Sequence, residues 1–363
     1  MRRVLGPIGV SGVVLLGIGF GIGADTAPPT TPKADVTPPP TSKAGVALPT
    51  VPKADEPLAE RYDVSRAAAF LDNVAVHWTR ERRCISCHTN MLYLAARSRL
   101  EGDDSGSREV RTFLEKEVER WSAGGKPRGD AYVVVTAFAL SLHDAWTTGR
   151  LHKATRAALD RMWQVQRPSG EWNWLKCAWP PLEHDDYYGA VLAAVAVGYA
   201  PEGYAATPQA REGLARLRQY LHKTPPPDLH HAAMLLWAAT RLDGLLTPER
   251  RERILADLKA RQRADGGWSL PSLGSYTRKD GTPNAPHAPS DGYATGMVTF
   301  ILLEAGVPPQ DPALNKARDW LRQHQRLSGR WFTRSLNTDK AHYITNIGTA
   351  FCVLALQQFP KVR

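Results

Sequence analysis

A short pattern, Q-x-x-x-G-x-W, occurs three times in this chain and constrains its fold more than any other feature. The copies run from Gln166 to Trp172, from Gln262 to Trp268 and from Gln325 to Trp331. In each copy the glycine suits a left-handed residue that ends a helix, the tryptophan can bury a large flat surface, and the glutamine amide can bind loop backbone. The equal spacing predicts an internal repeat, and therefore a stacked or ring-closed array of helices. The alternative is three unrelated helix-ending turns.

Two kinds of helical pattern alternate from about residue 60 onward, and no strand pattern competes with them. Amphipathic patterns, expected on the outside, cover residues 64–80, 106–122, 152–166, 208–222, 248–262 and 312–325. Almost wholly apolar patterns, expected on the inside, cover residues 87–99, 130–146, 185–198, 228–242, 291–305 and 343–358. Three outer patterns open with a capping residue and a proline, at Thr207, Thr247 and Asp311. Six alternating hairpins predict an all-α fold, a closed (α/α)6 toroid.

The repeated pattern resembles the QW repeat of the squalene–hopene cyclase and protein prenyltransferase families. The resemblance covers roughly residues 60–358 in pattern, although the motif itself occurs only in the last two thirds of the chain. It implies the α/α toroid that those families share, and a hydrophobic ligand such as an isoprenoid. The zinc-binding set of Asp, Cys and His expected for the prenyltransferases is not evident in the sequence.

The N-terminal part of the chain predicts export. Residues 1–24 combine Arg2 and Arg3 with a long apolar, glycine-rich run, which is the layout of a signal peptide or of an uncleaved membrane anchor. Residues 25–57 are rich in proline and threonine and predict a disordered, extended linker. The toroid is therefore expected over residues 58–363, in a periplasmic, cell-envelope or secreted protein.

The charge pattern argues against a nucleic-acid partner. The net charge is +10, but lysine and arginine are interspersed with acidic residues on helical patterns such as 247–263. That distribution is typical of solvated outer faces rather than of a nucleic-acid-binding stripe. A basic exterior still favours proximity to an anionic membrane surface.

The sequence Cys84-Ile-Ser-Cys87-His88 is the most specific chemical motif in the chain. It closely resembles the haem-attachment segment of cytochromes c, in which two thiols bond the haem and the histidine ligates the iron. The resemblance implies a covalent haem c on Cys84 and Cys87, with His88 as an iron ligand. There are two alternatives: a disulfide between the two cysteines, or a zinc site completed by the distant Cys177 or His184.

A sixth iron ligand cannot be assigned from sequence alone. His230 and His231 are candidates because they are expected at the same end of the toroid, whereas Met91 is too close to His88 in the chain. A filled sixth position would favour electron transfer with a redox partner, and an open one would favour small-molecule or peroxide chemistry.

Three carboxylates lie close together in the segment from Glu183 to Asp186. Neighbouring carboxylates in a cavity can raise one another's pKa and keep one protonated as an acid. Glu183, Asp185 and Asp186 form E-x-D-D, which resembles the D-x-D-D proton donor of the squalene–hopene cyclases. Tyr187 and Tyr188 replace the threonine and alanine of that motif, and one toroid replaces the two helical domains of those enzymes.

If the hairpins alternate, every inner helix begins at the same end, and the residues there form one mouth. The candidates for a cavity or ligand site, beyond those above, are His184, Tyr187, Tyr188, Asp291, Tyr293, Trp174 and Trp179. Asp130, Asp291 and Asn346 are expected first as ordinary helix caps, a role that does not exclude a function at the mouth. The tryptophan-rich loop around Cys177 either lines a site for a flat, greasy or sugar ligand or packs as a loop, and Cys352 suits the core.

Four functions remain open from the sequence. The first is an exported haem-bearing toroid that binds a hydrophobic ligand and has a redox or electron-transfer role. The second is a cyclase-type terpenoid enzyme that uses Glu183, Asp185 and Asp186. The third is a secreted carbohydrate-active α/α barrel resembling a polysaccharide lyase, and the fourth is a non-catalytic binding module of the cell envelope. No complete catalytic set is visible that would decide between an enzyme and a binding protein.

Overall fold

In the computed structural model, which describes residues 52–285 and 287–360, the chain is all-helical. The α-helices are α1 (Val64–Arg82), α2 (Tyr93–Arg97), α3 (Ser105–Ser122), α4 (Asp130–Trp146), α5 (Lys153–Gln164), α6 (Asp186–Tyr199), α7 (Pro208–Lys223), α8 (Leu229–Ala239), α9 (Pro248–Ala260), α10 (Gly292–Glu304), α11 (Pro312–Gln323) and α12 (Ile344–Gln358). None of these helices is long and apolar enough to cross a membrane. The predicted signal segment, 1–24, and most of the predicted linker lie outside the described residues.

The even-numbered helices form an inner ring and the odd-numbered helices surround it. Each inner helix packs against the next, and α12 packs against α2, so the ring closes. In α10 every residue from Gly292 to Leu303 is buried, whereas α11 buries only one face. This agrees with the apolar inner and amphipathic outer patterns of the sequence, because only a helix packed on all sides can be apolar all round. The predicted (α/α)6 toroid is confirmed.

The three Q-x-x-x-G-x-W copies make the same contacts. Each tryptophan is fully buried and donates its indole N–H to a backbone oxygen of the preceding outer helix, at 2.7–2.8 Å. Each glutamine amide donates to the glycine carbonyl of its own loop and to backbone at the start of the next outer helix. Those second acceptors are the carbonyls of Gly213, Ala313 and Asp63. The repeat is therefore structural: it fastens each hairpin to its neighbour.

The third copy closes the ring, because its neighbour is the first helix of the toroid. Gln325 Oε1 accepts a hydrogen bond of 2.7 Å from the backbone N–H of Asp63, which caps α1. The segment just before α1 also lies on this loop: Glu56 accepts from the backbone N–H of Ser328 and pairs with Arg330. Residues 56 and 57 were predicted to belong to the linker, yet they pack against the toroid.

The predicted helix starts are largely confirmed, with one clear exception. Thr207, Thr247 and Asp311 each accept a backbone N–H in the first turn of an outer helix. The first inner helix was predicted over residues 87–99 but covers only Tyr93–Arg97. Residues 87–92 form turns instead, and Asn90 Oδ1 accepts from the backbone N–H of Ser86 at 2.8 Å. Cys87 and His88 therefore lie in an irregular segment at the entrance to the ring.

Candidate functional site

The starts of the inner helices meet at one end of the toroid, as the alternating pattern predicts. His88 Nε2, before α2, lies 4.0 Å from Glu183 Oε1, before α6. The rings of Tyr188 on α6 and His230 on α8 stack at 6.0 Å, and His230 Nε2 lies 2.8 Å from the hydroxyl of Tyr293 on α10. These contacts join four hairpins, and the side chains that make them define the mouth.

A cavity of about 450 Å³ opens at one side of the mouth and is called here the mouth pocket. Cys84, Cys87, His88, Asp130 and Glu183 supply its reactive side chains. Its aromatic walls are Trp78, Tyr132 and Trp174. This size lies within the usual range for small-molecule sites, and the combination of aromatic walls with a few polar groups is typical of such sites.

His88 is held between aromatic rings. It stacks on Tyr343 at 5.0 Å, and Trp78 meets it edge-on at 4.9 Å. Its Nδ1 lies 2.7 Å from Thr89 Oγ1, which leaves Nε2 directed toward Glu183. Burial lowers the pKa of His88 to about 4. The imidazole is therefore neutral at pH 7, so His88 does not form a salt bridge with Glu183.

The carboxyl group of Glu183 is largely buried, with 12% of its side chain exposed, and no lysine or arginine pairs with it among the described residues. Burial raises its pKa, and a hydrogen bond from the Cys177 thiol lowers it by less. Burial also raises the pKa of Cys87, and the nearby Glu183 adds to that rise. A carboxyl group in such surroundings holds its proton at higher pH than an ordinary glutamate, as a general acid must.

Asp185 and Asp186 do not share a site with Glu183. Asp185 Oδ2 lies 3.1 Å from His231 Nε2, whereas Asp186 accepts the backbone N–H of Trp174 at 3.0 Å and pairs with Lys176. Burial alone would raise the pKa of Asp185, but contact with His231 outweighs it and lowers the pKa. Glu183 thus owes its raised pKa to burial, and the three carboxylates face three different partners rather than forming one acidic cluster.

The two histidines of α8 have opposite surroundings. His231 lies between two carboxylates, with Nδ1 2.7 Å from Asp228 Oδ1 and Nε2 near Asp185. Burial lowers the pKa of His231, but these two partners raise it to about 9. His230 is fully buried, and burial together with the neighbouring charge of His231 lowers its pKa to about 3. One ring is a cation and the other is neutral.

Four of the predicted cavity residues mainly support the mouth. The indole of Trp174 donates to the carbonyl of Leu182 at 2.8 Å while one side of the ring lines the mouth pocket. Trp179 is half-buried, 6.2 Å from the ring of Tyr343, and Lys279 lies over it. His184 is exposed and meets Tyr276 edge-on, and Tyr187 is buried beside His231.

The three residues that were also expected as helix caps do not all act as caps. Asp291 is an N-cap: it accepts the backbone N–H groups of Ala294 and Leu270, although burial still raises its pKa to about 6. Asp130 is the first residue of α4, whose N-cap is Gly129, and it lines the mouth pocket. Asn346 lies inside α12 and donates to Thr89.

All four cysteines lie in the described residues and carry free thiols. Cys84 is half-buried and Cys87 is buried, and both line the mouth pocket together with His88. Cys177 is exposed above Glu183. Cys352 lies in the core, as predicted, with its Sγ 3.1 Å from the carbonyl oxygen of Gly292.

Four residues of the mouth were not singled out from the sequence. Asp228 precedes His230 and His231 at an N-cap, and the pattern D-x-H-H could have drawn attention to it. Tyr276, Trp78 and Tyr132 reach the mouth from a loop and from two different helices. No local pattern marks these three, because their role depends on how the ring closes.

In comparisons by sequence, no family model and no curated protein matches the chain. Solved structures do match its fold. A glycosidase variant in complex with glucose has a TM-score of 0.51 and 11% identity, over 81% of this chain and 97% of that one. A wild-type glycosidase has a TM-score of 0.50 and 12% identity, over 82% of this chain and 98% of that one. At these identities the likeness shows the shared toroidal fold.

Proposed function

We propose that the protein binds a carbohydrate in the mouth pocket and cleaves a glycosidic bond there. The observation that carries this proposal is that one aromatic-walled cavity is lined by a largely buried carboxyl group, Glu183, and by a second carboxyl group, Asp130. The toroidal glycosidases that resemble the chain support it as well, because they share the architecture that builds this mouth.

Glu183 is the proposed general acid. Cleavage of a glycosidic bond requires a carboxylic acid that gives its proton to the leaving oxygen as the bond to the anomeric carbon breaks. Burial raises the pKa of Glu183, so this side chain retains a proton for the task. The thiol of Cys177 and the imidazole of His88 are its neighbours. Burial lowers the pKa of His88 to about 4 and raises that of the Cys177 thiol, so neither group takes that proton.

Asp130 is the proposed second carboxylate. It lies at the N-terminal end of α4, where the helix dipole favours a negative charge, and it lines the mouth pocket. From there it would either take a proton from a water that attacks the anomeric carbon or attack that carbon itself. The anomeric configuration of the first product distinguishes these two mechanisms, because activation of a water inverts the configuration and direct attack by Asp130 retains it.

The aromatic walls explain why a sugar ring would be held. Trp78, Tyr132 and Trp174 present flat apolar surfaces to the cavity, while Asn173 and Arg128 offer hydrogen-bond donors. This mixture of apolar walls and a few polar groups suits a pyranose ring better than an all-apolar isoprenoid. The hydrophobic ligand implied by the repeat resemblance is for this reason the weaker proposal.

The test is a panel of oligosaccharides, beginning with glucose-containing ones, incubated with the full chain and assayed for new reducing ends. Wild-type protein should release product, and Glu183→Gln and Asp130→Asn should each lose at least about a hundredfold of the rate, the usual contribution of acid–base catalysis. Glu212→Gln, an exposed carboxylate far from the mouth, should retain full activity. Undiminished cleavage by Glu183→Gln, or no cleavage or binding of any member, would refute the proposal.

A covalent haem c is the second candidate, favoured by the convergence of Cys84, Cys87 and His88 on the same pocket. The donor set fits: both thiols are free, and His88 is neutral with Nε2 turned away from its Thr89 contact, the form that ligates iron. A bound haem would supply electron transfer or redox chemistry. It would also occupy the space proposed for the sugar, so the two candidates exclude each other at this pocket.

A pyridine haemochrome assay separates the two candidates. Protein exported in a host that matures c-type cytochromes should show covalent haem if the second candidate is right, and Cys84→Ser and Cys87→Ser should abolish it. Cys177→Ser and Cys352→Ser serve as matched controls that keep the motif intact. Absence of haem from the wild-type protein would leave the glycosidase proposal alone.

A further inference from the structure

Three side chains at the start of α8 lie together as potential metal ligands. Asp228, His230 and His231 each offer one donor atom, and these atoms all lie within 4.8 Å of one another. The histidines are at most 1% exposed, while Asp228 is 15% exposed on its side chain. The carboxylate side of the cluster is thus the side from which an ion can enter.

Each of the three side chains has a further partner that fixes its orientation. His231 Nε2 lies 3.1 Å from Asp185 Oδ2, and His230 Nε2 lies 2.8 Å from the hydroxyl of Tyr293. The hydroxyl of Tyr276 donates to the other oxygen of Asp228. Metal-binding histidines typically donate their second ring N–H to a carboxylate or another acceptor in this way, which orients the ligating nitrogen.

The cluster also contains a buried nitrogen without a partner. His230 is 0% exposed, and its Nδ1 makes no hydrogen bond within the described residues. Leaving a buried polar atom unpaired costs about 1–3 kcal/mol. If Nε2 donates to Tyr293, then Nδ1 carries the lone pair, and a cation is the natural partner for it.

We propose that Asp228, His230 and His231 bind a divalent first-row transition metal ion, with Zn²⁺ as the probe of choice. Two histidines and one carboxylate are a known protein ligand set for zinc, and such three-ligand sites leave a position for water or a substrate atom. Asp185 and Asp228 together balance the charge of the ion. The ion would replace the proton between Asp228 Oδ1 and His231 Nδ1, which lie 2.7 Å apart.

The metal-free alternative explains only half of the cluster. A His231 ring placed between Asp185 and Asp228 accounts for the short contacts of that ring. It leaves the buried Nδ1 of His230 without a hydrogen-bond partner among the described residues. A metal ion satisfies both rings at once.

The experiment measures metal content and affinity on the purified full chain. Elemental analysis should find about one zinc per chain, and isothermal titration of chelator-treated protein with Zn²⁺ should show one site. His230→Ala and His231→Ala should remove that site, while His222→Ala, an exposed histidine elsewhere, should not. Circular dichroism checks that the variants remain folded.

Two milder variants keep the test decisive if those substitutions unfold the protein. Asp185→Asn and Tyr293→Phe change only the orienting partners and should weaken Zn²⁺ binding about tenfold to a hundredfold. Folded wild-type protein that takes up no zinc would overturn the proposal. Zinc binding that is equal in all the folded variants would also overturn it, since the ion would then be bound elsewhere. These readouts do not depend on glycoside cleavage.

Discussion

The three repeat loops make the same glutamine and tryptophan contacts in every copy, whereas the mouth is built from contacts that each occur once. In the loops, the glutamine amide and tryptophan indole of all three copies are hydrogen-bonded to backbone in the same way. In the mouth, His230 Nδ1 and the hydroxyl of Tyr188 are buried without a partner. Contacts that recur in all three copies specify a scaffold, whereas side chains that meet only once, at the mouth, are the ones that can be specialised for a ligand.

The largest loss of stability is expected when a repeat tryptophan is replaced. Trp331 is fully buried and bonded to Leu321, so Trp331→Ala should lower the free energy of unfolding by about 3–5 kcal/mol. Trp179→Ala, in the half-buried mouth loop, should cost much less. Urea unfolding measures both, and an equal loss would contradict the division into scaffold and mouth.

A smaller loss of stability is expected at the repeat glycine. A second glycine with a similar backbone conformation but open surroundings separates the effect of crowding from that of backbone strain. Gly329 has φ +93°, and a Cβ there would lie 2.2 Å from the carbonyl oxygen of Arg66. Gly281 has φ +80° but open space around it. Gly281→Ala should cost about 1–2 kcal/mol for the left-handed conformation alone, and Gly329→Ala should cost clearly more. Similar losses would show that the loop does not need close contact with α1.

The smallest expected effect is a pH dependence of protein stability that arises from Glu183 in the mouth. Because burial raises the pKa of Glu183, its ionisation opposes folding as pH rises from the ordinary glutamate range through the raised value. Glu183→Gln should therefore become progressively more stable relative to wild type as the pH rises above about 4, the ordinary range of a glutamate. Unfolding curves across that range measure the difference, with Glu212→Gln as an exposed control that should show no trend. A constant difference for Glu183→Gln would contradict the assignment of Glu183 as a buried acid.

The sequence predicts the scaffold well because its information is local. The spacing of Gln166, Gly170 and Trp172 and its recurrence are enough to predict hairpins, and the apolar inner patterns place those hairpins in a ring. The first inner helix is the exception. Its predicted start at residue 87 is wrong because residues 87–92 form turns, in which the Asn90 side chain binds the backbone of Cys84 and Ser86; no helical periodicity reveals these contacts.

The mouth is harder to predict because neighbours in the sequence are not neighbours in the site. Glu183, Asp185 and Asp186 look like one acidic cluster, but successive residues at a helix start point in different directions, and each carboxylate finds its own partner. Conversely, Asp130 and Glu183 come together from different hairpins. Only the closed ring brings them to one pocket.

The most direct test of the account compares one variant of each region in the same glycoside cleavage assay. Glu183→Gln should keep its melting temperature near neutral pH or raise it, yet lose cleavage of the oligosaccharide that wild type cleaves. Gln325→Ala removes the hydrogen bonds that close the ring through Asp63 and should lower the melting temperature while activity persists below it. The opposite outcome, full activity in Glu183→Gln, would contradict the claim that the mouth pocket carries the function.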